Sequence, residues 1–482
     1  MGGSASATTP TPVASARGTA ARTPAVAVRE GLEKLATYPY AILTFVDANG
    51  YPVSVAVSAT VDLGAASASF AAPAGLSIPA DADVSLTGSH IRPQPGYGYD
   101  ERRHVTVWGP AILSPDGRTV SIAAARAWGW DEAEVPFFEY SERSVGQSRK
   151  YFDALSLERG TPVKPRLSLG WLVLRTTRLP FLSATIVPVL LGILIAARHG
   201  AFDLLTAVLT VIGASFVQLA INISNDVFDT AQGADDANVT PTKFSGGSRV
   251  IQYGLVSFRR MAGLATGFYL AAGAIGLLLL VLRGSPALLA IGVVGFIVGL
   301  GYTAPPLKFV YRGLGEIAVA VGFGPLMLLG AYVVQTRGVL TWEPVIASLP
   351  IALLVALILY VNEIPDRRGD ARVGKRTLPV RLSKSAVIAG YRLAAIGAYA
   401  IVIVGVVVGI LPIPALLALL TIPLALQVSR GLEPNYDNPY GLMSIMAVNI
   451  NVHLYAGLLL LLAYIVVLIT GAVAPSVDLF VG

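Results

Sequence analysis

Hydrophobic and polar positions alternate in short stretches over the first third of the chain and in long blocks over the rest. Tyr40–Val46 (YAILTFV) and Val53–Val61 (VSVAVSATV) are β-branched and aromatic runs flanking Asp47-Ala48-Asn49-Gly50, the pattern of a hairpin. Val84–Thr87, Val105–Trp108 and Val120–Ala124 predict further short strands, with Asp116-Gly117 as a second turn. Strands at this spacing point to a small barrel or sandwich. Trp128–Tyr140 and Ser144–Leu157 read as polar, partly helical segments packed on it. From Pro180 the pattern changes to nine apolar runs, roughly 180–197, 204–222, 262–282, 286–303, 314–334, 346–362, 386–409, 412–428 and 449–471. A membrane-spanning helix needs about 20 apolar residues, and these runs predict nine of them.

Composition sharpens the division. The chain is 54% hydrophobic and 13% charged, against about 25% charged in ordinary soluble domains. Residues 1–165 carry 14 Lys+Arg and 16 Asp+Glu, whereas residues 166–482 carry 21 and 13. The excess positive charge therefore belongs to loops between apolar runs, which is a membrane protein's signature and not a nucleic-acid surface. With the N-terminus in the cytoplasm, 18 loop Lys and Arg fall on the cytoplasmic side and only Arg198, Arg283 and Arg337 on the other. That asymmetry predicts an integral protein of the cell (inner) membrane with its N-terminal domain cytoplasmic, together with the loops after the second, fourth, sixth and eighth spans. The absence of Cys excludes disulfide scaffolds, thiolate catalysis and Cys-based zinc sites. Residues 1–24 are Ala, Thr, Ser, Gly and Pro with little to bury, the composition of a disordered tail without a signal-peptide apolar region.

The acids of the membrane half are concentrated. Seven of its 13 lie in two stretches, Asn222 to Asp236 and Asn362 to Asp370, each at the cytoplasmic end of a predicted span. Both contain Asn-[Asp/Glu]-x-x-Asp, 137 residues apart, which suggests internal pseudo-symmetry. Continued as helix, Asn222, Asn225, Asp226 and Asp229 share one face, as do Asp366 and Asp370. Carboxylates on one stripe repel unless a cation lies between them, and oxygen donors without His or Cys select Mg²⁺. Asn225, Asp226, Asp229, Asp235, Asn362, Asp366 and Asp370 are the candidate metal ligands. Lys243, Arg249, Arg372, Lys375 and Arg376 follow the acids in sequence and Lys308 lies in the loop after the fourth span, and with Asn222 they are the candidate diphosphate-binding residues. Two acidic clusters ringed by cations suit a Mg²⁺-bound diphosphate, and the apolar setting makes its carrier a lipid.

These residues carry a resemblance. Asn222 to Asp235, Gly246-Gly247-Ser248-Arg249, Tyr302-Thr-Ala-Pro-Pro-Leu-Lys308, Tyr311 to Glu316 and Asp366-x-x-x-Asp370-x-x-x-Gly374-Lys375 resemble the UbiA family of intramembrane prenyltransferases. The first stripe and the Gly-Gly-Ser-Arg segment are most similar to the branch that prenylates 1,4-dihydroxy-2-naphthoate in menaquinone synthesis. The second stripe departs from that branch, with Glu363 and Pro365 where Asn and Arg are usual. The resemblance implies an all-α nine-helix transmembrane bundle over residues 180–482, with a lipid-facing opening. It also implies ionisation of a polyprenyl diphosphate with Asp226, Asp229, Asp366 and Asp370 at the metal and Tyr302 lining the cavity near the allylic cation. Another acceptor (a hydroxybenzoate, a homogentisate or a glycerol-phosphate lipid) and a non-catalytic quinone- or flavin-binding sensor stay open as alternatives.

Before the bundle, Arg103-His104-Val105-Thr106-Val107-Trp108-Gly109-Pro110 and the Asn49-Gly50-Tyr51-Pro52 hairpin resemble the pyridoxamine-phosphate-oxidase-like split barrels. That resemblance implies a split-barrel domain over residues 25–160, with 161–179 as an interfacial linker. It further implies FMN phosphate on Arg102, Arg103 and Lys150, and a homodimer formed through the barrel.

Overall fold

The computed structural model describes residues 25–79, 82–93, 99–164, 167–238, 241–471 and 478–480. The tail expected at residues 1–24 lies outside the described residues. The chain divides into two compact units between Ala154 and Leu155.

The first unit is an antiparallel sheet of nine strands: β1 (Ala25–Val26), β2 (Ala41–Val46), β3 (Pro52–Val57), β4 (Thr60–Asp62), β5 (Ser67–Ala71), β6 (Asp83–Pro93), β7 (Tyr99–Leu113), β8 (Thr119–Ala123) and β9 (Arg126–Asp131). Helices α1 (Val28–Leu35) and α2 (Phe137–Arg159) accompany it. The expected β2–β3 hairpin is present, with Ala41 opposite Val57 and Val46 opposite Pro52. Asp47 sets its turn by accepting hydrogen bonds from the Asn49 and Tyr51 amides at 2.9 and 2.8 Å. The sheet runs β3-β2-β6-β7-β8-β5-β4. Strand β7 is the branch point. Residues 103–108 lie between β6 and β9, and residues 111–113 pair with β8. At the change of partner stands Gly109, where a Cβ would lie 1.8 Å from the Ala123 carbonyl oxygen. Leu43, Leu86, Val105, Val107 and Ile122 are buried along alternating positions and form the core with Leu32 of α1.

One expectation is corrected here. Trp128–Asp131 is not helical but the end of β9, paired residue for residue with β7. Its alternation spans too few residues to outweigh the polar neighbours in sequence, and the partner strand decides.

The second unit is helical. Helices α3 (Leu169–Thr177), α4 (Ser183–Arg198), α5 (Leu204–Ala231), the single turn α6 (Ala234–Ala237), α7 (Phe258–Arg283) and α8 (Pro286–Gly301) come first. Helix α9 (Gly315–Val321) runs through a π-helical turn, Gly322–Leu326, into α10 (Met327–Thr336). They are followed by α11 (Trp342–Arg372), the turn α12 (Leu378–Arg381), α13 (Lys384–Val407), α14 (Ile422–Asn435), which continues a 3₁₀ segment from Ile413, and α15 (Pro439–Thr470). Among the described residues seven helices are long and apolar enough to cross a membrane, so this is an integral membrane protein. The two other expected spans are α4 and α8, apolar helices of 16 residues each. At 1.5 Å per residue each is about 24 Å long, short of a ~30 Å hydrocarbon layer.

Both acidic stretches continue their helices. Helix α5 runs past the apolar run to Ala231, and α11 to Arg372. At the opposite helix ends a second polar network ties α4, α10, α11 and α15 together. Glu343 is ion-paired with Arg198, lies 2.7 Å from His199 Nε2 and accepts the Tyr464 hydroxyl at 2.9 Å. Between these two ends the packing is mostly apolar, with Leu191, Ile195, Leu328, Ile351 and Val361 fully buried alongside a few polar side chains such as Gln218, Asn449 and His453.

Candidate active site

A cavity of about 730 Å³ occupies the second unit. Its polar end takes Asn222, Asn225 and Asp229 from α5, Asp235 from α6, and Asn362, Glu363, Asp366 and Asp370 from α11. The helical spacing that aligned each stripe in the sequence thus brings both stripes to one chamber. Tyr302, at the end of α8, lies on the wall as well. Beyond it the lining is apolar, with Ile221, Val298, Phe323, Val334 and Leu288 among its residues.

Each acid has specific company. Lys375 bridges the two stripes, its Nζ 3.4 Å from Asp229 Oδ2 and 3.7 Å from Asp370 Oδ1. Tyr311 donates its hydroxyl to Asp229 Oδ1 at 2.9 Å. Asp366 accepts from Asn238 Nδ2 at 2.8 Å and from the Gly246 amide at 2.9 Å. Asp235 is held by Gln252 Nε2 and the Thr230 hydroxyl, both at 3.4 Å. Asn225 donates to the Thr303 hydroxyl at 2.8 Å, and Asn222 to the Thr177 carbonyl at 3.0 Å.

The loop Gly246-Gly247 closes over this end with both residues at φ +75°. A Cβ on Gly247 would stand 2.8 Å from Asp235 Oδ1 and 3.3 Å from Asp226 Oδ1. Only glycine lets the backbone approach both carboxylates in this conformation.

Charge is concentrated and mutually dependent. Burial pulls the Lys375 ammonium down, but the facing carboxylates of Asp229 and Asp370 hold its pKa well above that of an ordinary lysine. Burial raises the Asp235 carboxyl well above the usual range, and its neighbours Asp229 and Asp226 push it the same way.

Several expected residues lie elsewhere. Asp226 is 2% exposed and is not on the cavity wall; it is ion-paired with Arg178 and receives the Ser248 amide at 3.2 Å. Arg249 is buried behind the loop, where its guanidinium donates to the Asp235 carbonyl. Lys243, Lys308, Arg372 and Arg376 are absent from the described lining. Lys243 sits over the Phe244 ring and Lys308 over the Tyr311 ring, while Arg372 and Arg376 are exposed. The cations that do line the cavity are Lys375 and Arg178. In the sequence Arg178 entered only as one of the 18 loop cations on the cytoplasmic side. Asn238 was missed, and Tyr311 stood out only as the first residue of the Tyr311 to Glu316 motif without a role, since neither belongs to an acidic stripe.

The residues fit a divalent cation in donor chemistry. Asn362 Oδ1 and both carboxylate oxygens of Glu363 are buried without a hydrogen-bond partner beside the acids, and every donor at this end is a hard oxygen. Among the described residues no three acidic or histidine side chains already converge into one chelate. Lys375 instead lies between Asp229 and Asp370, and Arg178 is paired with Asp226.

In the first unit the expected phosphate ligands do not assemble. Arg102 and Arg103 are neighbours in β7 and therefore point to opposite faces. Arg102 is committed to Glu132 at 2.9 Å and stacks over the Phe137 ring at 3.7 Å. Lys150 is exposed on α2. These three residues do not fit a flavin phosphate.

Residues 185–449 match the UbiA prenyltransferase family. The chain is 28% identical over 292 residues to a 2-carboxy-1,4-naphthoquinone phytyltransferase of Synechocystis, covering 59% of this chain and 90% of the relative. It is 26% identical over 301 residues to a 1,4-dihydroxy-2-naphthoate octaprenyltransferase of Bacillus subtilis, covering 62% and 94%. Among solved structures, the apo structure of a UbiA homolog from Aeropyrum pernix aligns with a TM-score of 0.46 at 17% identity, over 58% of this chain and 97% of that one.

Proposed function

The chain belongs to the UbiA prenyltransferase family, and on that premise we propose that it transfers a polyprenyl group from an isoprenyl diphosphate to an aromatic acceptor of the 1,4-dihydroxy-2-naphthoate type, as in menaquinone synthesis. The observation that carries this reading is a single cavity whose one end is acidic and cation-edged and whose remainder is apolar. A diphosphate joined to a long hydrocarbon has that same division. Two relatives whose printed names specify naphthoate or naphthoquinone acceptors support the choice of ring.

Asn225, Asp229 and Asp235 would hold metal on one side of the diphosphate, and Asn362, Asp366 and Asp370 on the other. Mg²⁺ supplies the positive charge that makes the diphosphate a better leaving group. Lys375 and Arg178 face the same end and bind the remaining phosphate oxygens. Asp226 is then a positioning residue, orienting Arg178 and the Ser248 amide, and Arg249 fixes the loop through Asp235. The bond between the terminal prenyl carbon and the diphosphate oxygen breaks, and the electron pair leaves with oxygen. The ring carbon that bears the carboxylate forms the new carbon–carbon bond, and the carboxylate leaves that carbon as CO₂, its bonding pair returning to the ring to restore the aromatic system. Tyr302 and the apolar wall keep water from the allylic cation, so the ring captures it.

In this reading the transferase spans residues 180–482 and the site opens to the cytoplasm, as the loop charges favour. We carry residues 25–160 as a split barrel, a reading supported by the antiparallel sheet branching at β7. No flavin step enters, because the ligands for it are not brought together. The test is mass spectrometry of products from purified protein given Mg²⁺, geranylgeranyl diphosphate and a panel of acceptors. A decarboxylated, prenylated naphthoquinol that disappears with EDTA is the expected result. Prenylation of a different ring would replace the acceptor, and no product from any acceptor would refute the reading.

A further inference from the structure

On α11 the cavity lining changes character within one turn. Ile358 and Leu359 are apolar, Asn362 and Glu363 follow, and Asp366 and Asp370 lie beyond them. Glu363, Asp366 and Asp370 share a face at i, i+3 and i+7. Glu363 stands about 4.5 Å short of Asp366 along the helix axis, on the apolar side. In the transferase reading the diphosphate fills the acidic end and the prenyl chain fills the rest. The carbon that joins them therefore lies at the depth of this change, and the ring that captures it must lie there too. Tyr302, already placed near that carbon, is within electrostatic reach of the Glu363 carboxyl.

Glu363 belongs to neither the metal set nor the diphosphate set. It is on the cavity wall, 5% exposed, and neither carboxyl oxygen has a hydrogen-bond partner among the described residues. Glu316 of α9 stands against it and is itself fixed by the Leu378 amide at 3.2 Å. A proton held between the two carboxyls would occupy one Glu363 oxygen and leave the other open, so an open acceptor remains in either protonation state. A buried acceptor left open is costly, and a matching donor recovers that cost. Asn222 on the facing wall is already engaged, donating to the Thr177 carbonyl and receiving Gln218 Nε2 at 3.1 Å. Glu363 is also one of the two positions at which the second stripe departs from the naphthoate branch.

We propose that Glu363 recognises the aromatic acceptor, its carboxyl accepting a hydrogen bond from a ring hydroxyl and setting the ring against the carbon that carries the diphosphate. The inference rests on the transferase reading and specifies its acceptor. A hydroxyl lends electron density to the ring carbons beside it, so holding the hydroxyl also turns an activated carbon toward the prenyl group. In a ring of the 1,4-dihydroxy-2-naphthoate type, the hydroxyl next to the carboxylate-bearing carbon is the one so placed. An acceptor without a hydroxyl there leaves the buried carboxyl unpaired and is rejected. Asp366 and Asp370, one and two turns nearer the charged end, keep their place at the metal.

The test uses the full chain in lipid nanodiscs with Mg²⁺, geranylgeranyl diphosphate, the acceptor identified in the product assay, and its O-methyl ethers, each blocking one hydroxyl. Glu363→Leu should raise the KM for the acceptor about 10- to 100-fold. Glu363→Gln, which keeps an accepting oxygen in place, should raise it less than about fivefold. In both variants the KM for the diphosphate and the Mg²⁺ concentration giving half the maximal rate should stay within about twofold of wild type. By kcat/KM, wild type should use the ether blocked beside the reacting carbon more than about 100-fold less well than the free acceptor. Glu363→Leu should narrow that ratio to less than about tenfold. Glu363→Gln, whose amide can donate to the ether oxygen, should narrow it at least about threefold, and it decides the matter if Glu363→Leu does not fold. A shifted Mg²⁺ dependence with an unchanged acceptor KM would make Glu363 a metal ligand and overturn the proposal. An ether penalty equal in wild type and both variants would overturn it as well. Wild type that prenylates no acceptor would instead refute the transferase reading on which this one stands.

Discussion

Replacing Gly247 by alanine tests the loop that closes the polar end, because the structure separates two costs of the change. Gly247 has φ +75°, a conformation that costs an L-residue about 1–2 kcal/mol. The new methyl would also stand 2.8 and 3.2 Å from the two Asp235 oxygens and 3.3 Å from Asp226 Oδ1. Reaching ordinary contact at 3.4 Å requires a movement of about 0.6 Å, and displacements of this order at a reacting centre cost about 100-fold in rate. Gly200 isolates the first cost from the second. It has φ +77°, with no atom within 4 Å of its Cβ. Both variants should lose similar thermal stability, read by the melting of purified protein in detergent. Prenyl transfer, followed by product mass spectrometry, should fall about 100-fold in Gly247→Ala and stay near wild type in Gly200→Ala. Turnover of Gly247→Ala within about threefold of wild type would refute the argument that this loop sets the carboxylates.

Three further outcomes are expected. Lys375→Met removes the cation between Asp229 and Asp370 and should raise the KM for diphosphate more than tenfold, about 1.4 kcal/mol or more, whereas Lys308→Ala and Arg372→Ala, away from the wall, should change it less than about threefold; equal effects in all three would return the loop cations to the site. Arg178→Gln leaves Asp226 buried without its ion-pair partner and should destabilise the unit by about 3–5 kcal/mol, with the double variant Arg178→Gln/Asp226→Asn recovering stability but not activity; recovery of both would make the pair purely structural. Removing divalent cations with EDTA should abolish transfer and Mg²⁺ should restore it, while Asp366→Ala should abolish transfer with or without added Mg²⁺ and remain folded in the membrane; normal turnover by Asp366→Ala would remove the second stripe from the chemistry.

Much of the architecture was legible in order along the chain. Long apolar runs dictate helices wherever lipid is the solvent, because a backbone there must satisfy its own hydrogen bonds. The two acidic stripes were legible for a related reason: acids at membrane depth are costly, and 3.6-residue periodicity fixes which of them share a face. The hairpin at Asp47 to Gly50 was equally local, since one side chain and one glycine set it.

What the sequence left open depends on contacts between distant residues. Strand β9 exists because β7 offers it a partner, a fact that Trp128–Asp131 does not encode alone. The basic residues were the least legible part. The sequence singled out Lys243, Arg249, Lys308, Arg372, Lys375 and Arg376 alike, yet of these only Lys375, which spans 146 residues to Asp229, stands on the wall, and the second cation there is Arg178, which spans 48 to Asp226 and was not singled out. A long flexible side chain can reach either a cavity or the solvent from the same loop, and only the packed helices decide which. Which helix faces line the apolar part of the cavity belongs to the same class. Periodicity determines that each helix is apolar; which faces enclose a tail, and where they part, is a property of the assembled bundle.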